Sequence, residues 1–288
     1  MANPVCLSPL KFYDDFNKQS HRKSYAFQNV SPLLFPIHFI LPFQFVLPAS
    51  GQNLISAYLV NAKTDEVESA NIVTQLEDTG FSIITVDNYS IAVYYGYMPI
   101  QNNYEGQHYL KLIFTDYTYY SEVFCFSNTL NKCLLIEYQN KTGNFYLKNG
   151  VVSFENDFRF KIYLDTEVGK PEYSFEEEST KRLGYNFVES QVSKKVYKFN
   201  CVIPEYLCDA LRIVRMCDNK RIQCNNEDYD ALTFEMEVDW QTQGDLASVN
   251  CEFEIDNVIA NFGGFKFEPP GYDFNDDFND DYDINQES

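Results

Sequence analysis

Residues 31–48 read "SPLLFPIHFILPFQFVLP", and the whole stretch between Lys23 and Lys63 contains no Asp, Glu, Lys or Arg. Four prolines, Pro32, Pro36, Pro42 and Pro48, all fall on even positions. The large apolar residues Leu33, Phe35, Ile37, Phe39, Leu41, Phe43, Phe45 and Leu47 fall on odd ones. An extended chain sends successive side chains to opposite faces, so this parity gives one greasy face and one proline-studded back. Each proline removes a ladder donor, which excludes the segment from the middle of a sheet. It is also too heavily interrupted to be a membrane helix, which needs about 20 apolar residues in a continuous helical backbone. Two placements remain: packed along its own domain, or covering a neighbouring subunit. In the second case Phe35, Ile37, Phe39, Leu41, Phe43 and Phe45 are the interaction residues.

The rest of the chain leans towards β structure. Aromatic residues make up 17% of it, with 25 Phe and 22 Tyr but one Trp, and Tyr and Phe favour strands. From residue 53 to 165 short alternating runs such as "NLISAYLV", "YSIAVYYG", "HYLKLIFT" and "FRFKIYL" are separated by turn residues. Strands at this spacing predict an antiparallel sandwich or barrel. At "DTEVGKPEYSFEEESTKRLG" the texture turns charged, which predicts a domain boundary. Beyond it, "PEYLCDALRIVRMC" places Leu207, Ala210, Leu211 and Val214 on one helical face, with Pro204 at its start. The strands "VYKFNCVI", "ALTFEMEVDW" and "SVNCEFEIDNVI" flank that helix. The expected plan is mainly β: an extended arm over 1–50, a β-sandwich-like domain over 51–165, a smaller α+β domain with one helix over 166–262, and an acidic disordered tail over 263–288. In that tail eight acidic residues lie between Glu268 and Ser288 with no basic one.

A formal charge of −20 argues against a nucleic-acid partner, because such proteins neutralise phosphates with a basic patch. No secretory leader is visible at the start "MANPVCLSPLKFYDD", so reduced, buried thiols are the expectation for the eight cysteines. Chemistry is sparse. His21, His38 and His108 are far apart, and no GxGxxG, P-loop, GxSxG or HExxH pattern occurs. Asp273, Asn275 and Asp277 match the opening of a calcium loop, but Phe278 and Ile284 stand where its Gly and Glu belong. No catalytic residue, metal ligand or cofactor is therefore expected, and the chain reads as a non-enzyme. In "VYYGY" and "DYTYYS", Tyr95, Tyr97, Tyr117 and Tyr119 are candidates for surface stacking on a sugar or a partner. Lys194 and Lys198 share a parity in "KKVYKFN", which predicts that this strand lies beside one carrying Glu235, Glu237 and Asp239 or Glu252, Glu254 and Asp256.

The stretch "FYDDFNKQSHRKSYAFQNVSPLLFPIHFILPFQFV" resembles the N-terminal part of uncharacterised virion proteins of phages that infect gut Bacteroidetes, and "GQHYLKLIFTDYTYYSEVFCFS" resembles their β-rich middle. The likeness spans much of residues 8 to 260. It implies a structural role in the tail or baseplate, resembling distal-tail proteins, in which a β-sandwich ring carries a second domain. The implied partners are copies of the chain itself, other virion proteins and, at the host-facing end, a surface glycan. Synthesis in the host cytoplasm and residence in the virion follow from the same resemblance. The alternative is a carbohydrate-binding β-sandwich that uses the exposed tyrosines.

Overall fold

The structure, a computed structural model, describes residues 9–14, 33–37, 40–48, 54–69, 72, 77–86, 89–99, 104–128, 130, 133–147, 150–154, 157–182, 185–240 and 246–261. The fold is mainly β with one helix. Its largest sheet assembles strands far apart in sequence. In spatial order these are β1 (Phe12–Tyr13), β8 (Thr118–Ser121), β7 (Gly106–Phe114), β9 (Phe124–Ser127), β2 (Leu34–Pro36), β13 (Phe160–Leu164), β10 (Leu134–Gln139), β16 (Asn219–Cys224) and β17 (Glu227–Asp230). A further strand, β4 (Leu54–Asn61), also pairs with β7, so this sheet branches. A three-stranded sheet has the order β3 (Ile40–Pro48), β6 (Tyr89–Pro99), β5 (Glu77–Val86). A four-stranded sheet has the order β14 (Glu172–Arg182), β15 (Tyr185–Pro204), β19 (Leu246–Asn261), β18 (Thr233–Trp240). The hairpin β11 (Phe145–Leu147) and β12 (Gly150–Val152) completes the set.

The prolines predict an edge position, and β3 has one, pairing with β6 and with no second strand among the described residues. But β2, which ends on Pro36, lies inside the largest sheet between β9 and β13, where its single pair with β13 is at Leu34 and leaves Pro36 without a partner on that side among the described residues. The one-faced reading is incomplete, however. Leu41 and Phe43 are fully buried on the odd parity, but Pro42, Gln44 and Val46 on the other parity are buried too. Gln44 is accommodated there because its amide both donates to the Ser153 carbonyl (2.6 Å) and accepts from the Ser153 N–H (3.0 Å), as a strand neighbour would. Of the two placements expected for the arm over 1–50, its described residues take the first, packing along their own domain. Its strand β1 pairs with β8, its strand β2 lies between β9 and β13, and β3 packs on both faces.

The helix, α1 (Glu205–Met216), follows the sequence reading. Pro204 is its N-cap, Glu205 and Arg215 suit the two ends of its dipole, and Leu207, Ala210, Leu211 and Val214 are fully buried. The chain divides inside the charged run expected to hold the boundary, between Glu172 and Tyr173, but the residues beyond it do not form a separate domain over 166–262, because 195–256 belong with 1–172. Strand β10 pairs with β16 across that run, and one continuous core runs from Leu10 and Phe12 to Val249 and Phe253. The two compact units are residues 1–172 with 195–256, and residues 173–194 with 257–288. Within that charged run, Glu172–Arg182 form strand β14. A linker and a solvated strand share a polar composition, and only the sheet partner separates them. The tail over 263–288 lies outside the described residues.

Candidate functional site

The residues singled out from the sequence are mostly structural. Phe35 and Phe43 are 1% exposed and Leu41 is fully buried, so none of the three is available to a neighbouring subunit. Phe35 stands edge-on to Phe124 at 5.5 Å. Ile37 is half-buried against the same core. Phe39, and the side chain of Phe45, lie outside the described residues. Of the four candidate stacking tyrosines, two are buried and two are half-buried. Tyr95 is 3% exposed and Tyr119 is 6% exposed, and burial, with Tyr117 and Asp14 nearby, pushes the Tyr119 phenol up to about 12. Tyr97 is half-buried against Phe158, and its hydroxyl accepts the Arg159 N–H at 2.9 Å. Tyr117 is half-buried beside Tyr119. Two of the four rings face inward because strands β6 and β8 have neighbours on their flanks and a core beneath them.

The one described histidine belongs to a built polar cluster. At the end of β4, Asn61 Oδ1 accepts the N–H groups of Lys63 (2.9 Å) and Thr64 (3.2 Å), closing a turn that Asp65 completes with a φ of 58°. The chain then returns beside β4, with the Glu68 N–H on the Leu59 carbonyl at 3.0 Å. That return brings the Glu68 carboxylate to Asn61 Nδ2 (2.8 Å) and to His108 Nε2 (2.6 Å), and His108 sits opposite Asn61 in the β4–β7 register. His108 is 1% exposed. Its Nδ1 faces the Gly106 carbonyl at 2.9 Å, which can only accept, so Nδ1 carries a proton. Burial alone would raise the Glu68 carboxyl; the Asn61 hydrogen bond and the His108 hydrogen bond and charge outweigh it and hold the group below the usual carboxylate range. With Tyr104 against the ring at 5.9 Å, the cluster is a clamp on the turn. Sequence reading missed it because the partners lie 40 residues apart.

The cysteines are no more reactive. The seven described ones are free, and six of them are buried. Burial pushes Cys133 and Cys208 up to about 11 and Cys201 and Cys217 up to about 12, which suppresses the thiolate that a nucleophile or metal ligand needs. Among the described residues no group of three or more His, Cys, Asp or Glu is arranged to hold a metal ion. No described helix is long and apolar enough to cross a membrane. No family model, curated protein or solved structure matches the chain.

The remaining site is charged. A cleft of about 780 Å³ in the larger unit is lined by Glu167, Lys198, Glu235, Glu237, Asn250 and Glu252, among others. The segment carrying Glu167 comes close to β15 because Gly169 has no side chain: its N–H donates to the Lys198 carbonyl at 2.8 Å, where a Cβ would stand 3.1 Å from that oxygen. Glu235 lies directly opposite Glu252, an unfavourable pairing that flanking cations relieve. Arg215 reaches Glu235 at 2.5 Å, while Lys198 lies 2.6 Å from Glu172 and 3.9 Å from Glu252. The hydrogen bond to Glu172 raises the Lys198 ammonium above its ordinary range. The expected neighbourhood of Lys198 is thus correct, with β15 lying next to β19. Glu235 and Glu252 are half-exposed and ion-paired, so the cleft is a solvated charge network.

In the smaller unit, strand β14 is almost wholly exposed. Residues 173–179 and Lys181 are exposed, including Tyr173 at 61% and Phe175 at 73%. The adjacent β15 residues 188–194 are only half-buried. Side-chain bonds join the two strands: Lys194 to Glu176 (2.5 Å), Gln191 to Glu177 (3.1 Å) and Ser190 to Glu178 (3.0 Å). The sequence signal was available in "YSFEEESTKRLGYNF", where two runs flank a Leu-Gly pair, but its charge concealed it.

Proposed function

We propose that the chain is a non-enzymatic structural protein of a phage virion, an oligomeric tail or baseplate component whose work is assembly. Two features support this reading. The sequence resembles virion proteins in its N-terminal and middle segments, and the β14–β15 ribbon carries a length of strand with little burial of its own. That exposed ribbon is the observation that carries the proposal. Solvated strands gain little from the hydrophobic effect, and large exposed rings such as Tyr173 and Phe175 mark surfaces that associate. The partners are further copies of the chain and neighbouring virion proteins, without nucleic acid. A glycan-binding role loses Tyr95 and Tyr119, which are buried, from the four tyrosines it rested on, and is not carried forward. Mass spectrometry of purified phage particles tests the proposal. The chain should appear as a stoichiometric virion component, and its absence from intact particles would refute the assignment.

A further inference from the structure

We infer that the outer edge of β14 pairs with the same edge of a second copy, antiparallel about a two-fold axis at Ser179. This rests on the assembly reading above and names the partner of that ribbon. Strand β14 ends the four-stranded sheet, so along its outer side no described strand takes its backbone donors and acceptors. Unpaired edges are templates for association unless something blocks them.

The charges decide between blocking and pairing. Residues 176–182 read Glu-Glu-Glu-Ser-Thr-Lys-Arg. A two-fold antiparallel pair centred on Ser179 sets Glu176 opposite Arg182 and Glu177 opposite Lys181, and symmetry makes each pair twice. Opposite residues in an antiparallel ladder point to the same face, so Glu177 and Lys181 are true cross-strand neighbours. Shifting the axis to Glu178 places that acid against its own copy. Parallel, in-register addition stacks all three acids on their counterparts. The pattern therefore favours one closed dimer and disfavours open-ended stacking.

The opposite edge of the same sheet shows the contrast. Strand β18 carries Glu235, Glu237 and Asp239 and no base, so a two-fold pair centred on Glu237 sets acid against acid at each of them. Strand β17, which ends the largest sheet, holds Glu227, Asp228 and Asp230. Like charges close both of those edges, whereas β14 has its signs segregated about a neutral Ser-Thr centre.

Sedimentation equilibrium on the full chain tests the pairing. The wild type should run at twice the 33.6 kDa of one chain. Lys181→Glu and Glu177→Lys each place like charges opposite one another twice, so each variant alone should fall to the mass of one chain. Mixed together they should form a dimer with one copy of each, and the double swap E177K/K181E should dimerise by itself. The rescue by mixing separates a lost interface from a misfolded variant. A monomeric wild type, variants that remain dimeric, or a mixture that remains monomeric would each overturn the inference. The proposed function is judged separately: a monomer found in purified particles defeats the pairing alone, and a dimer absent from them defeats the virion assignment alone.

Discussion

Replacing His108 with Phe tests the clamp on the β4 turn. The ring is 1% exposed and lies 5.6 Å from Phe126, so Phe fills the same space and keeps the aromatic packing. Two interactions disappear. The Gly106 carbonyl loses its donor, a neutral bond worth about 1 kcal/mol net. Glu68 loses its charge-assisted partner, worth about 1.5–3 kcal/mol. The lower end of that range applies, because Glu68 is 31% exposed and keeps its bond from Asn61. The expected loss at pH 7 is therefore about 2–3 kcal/mol, partly offset by the gain from burying a more apolar ring.

The pH dependence carries the sign of the Glu68 shift. A carboxyl whose folded value is depressed contributes stability that is present above the unfolded value, 4.5 here, and is lost as pH falls through the lower folded value. Urea unfolding of wild type and H108F should show the full gap at pH 7 and a gap that narrows below about pH 4.5. The Glu68→Gln variant should remove most of the same pH dependence, and the double variant should lose less than the sum of the singles. If H108F matches the wild type at pH 7, or if the gap stays constant into acid, the clamp does not contribute as argued.

Other consequences follow from burial and charge. Phe35→Ala should destabilise the larger unit by about 3–5 kcal/mol in urea unfolding, because that ring is core rather than arm; a near-neutral result would return it to the surface. Lys198→Glu places a fourth acid beside Glu172, Glu235 and Glu252, so its urea midpoint should fall, and fall further at low salt. A midpoint that ignores salt would mean that the ammonium does not serve these acids. The buried thiols should resist aromatic disulfide reagents at pH 8 in the native chain and react together on unfolding; rapid native labelling of Cys201 or Cys217 would contradict their burial.

Local rules carried where the deciding interaction is local. Proline parity places β3 at an edge because a missing donor matters whatever the partner. The α1 face of Leu207, Ala210, Leu211 and Val214 is set by helical spacing alone. Lys198 found its acids because like-charged strands need a cation beside them. The failures share the opposite cause. Nothing local indicates that Leu135 will lie opposite Gln223, so the sequence does not show that β10 and β16 share one core. The inward turn of Tyr95 and Tyr119 depends on which strands flank β6 and β8. The Glu68–His108 pair depends on how the Asn61 turn folds back.

The strand edges then connect fold to function. A chain of this β content must deal with several open edges, and at −20 overall its copies repel one another at long range. The edges are not closed by one device. Strand β3 lacks donors at Pro42 and Pro48, while β17 and β18 carry acids that oppose a second copy of themselves. At β3, β17 and β18 generic stickiness is thus suppressed twice, by net charge and by edge chemistry. An edge that also carries bases, in mirror order to its acids about Ser179, is the exception that such suppression makes selective. Association between like-charged copies needs a contact that brings its own counter-charge, and residues 176–182 supply both halves of it within one strand. That places specificity in the register of the pairing rather than in buried area, which is the arrangement an assembling protein needs if it is to stay soluble until its partner strand arrives.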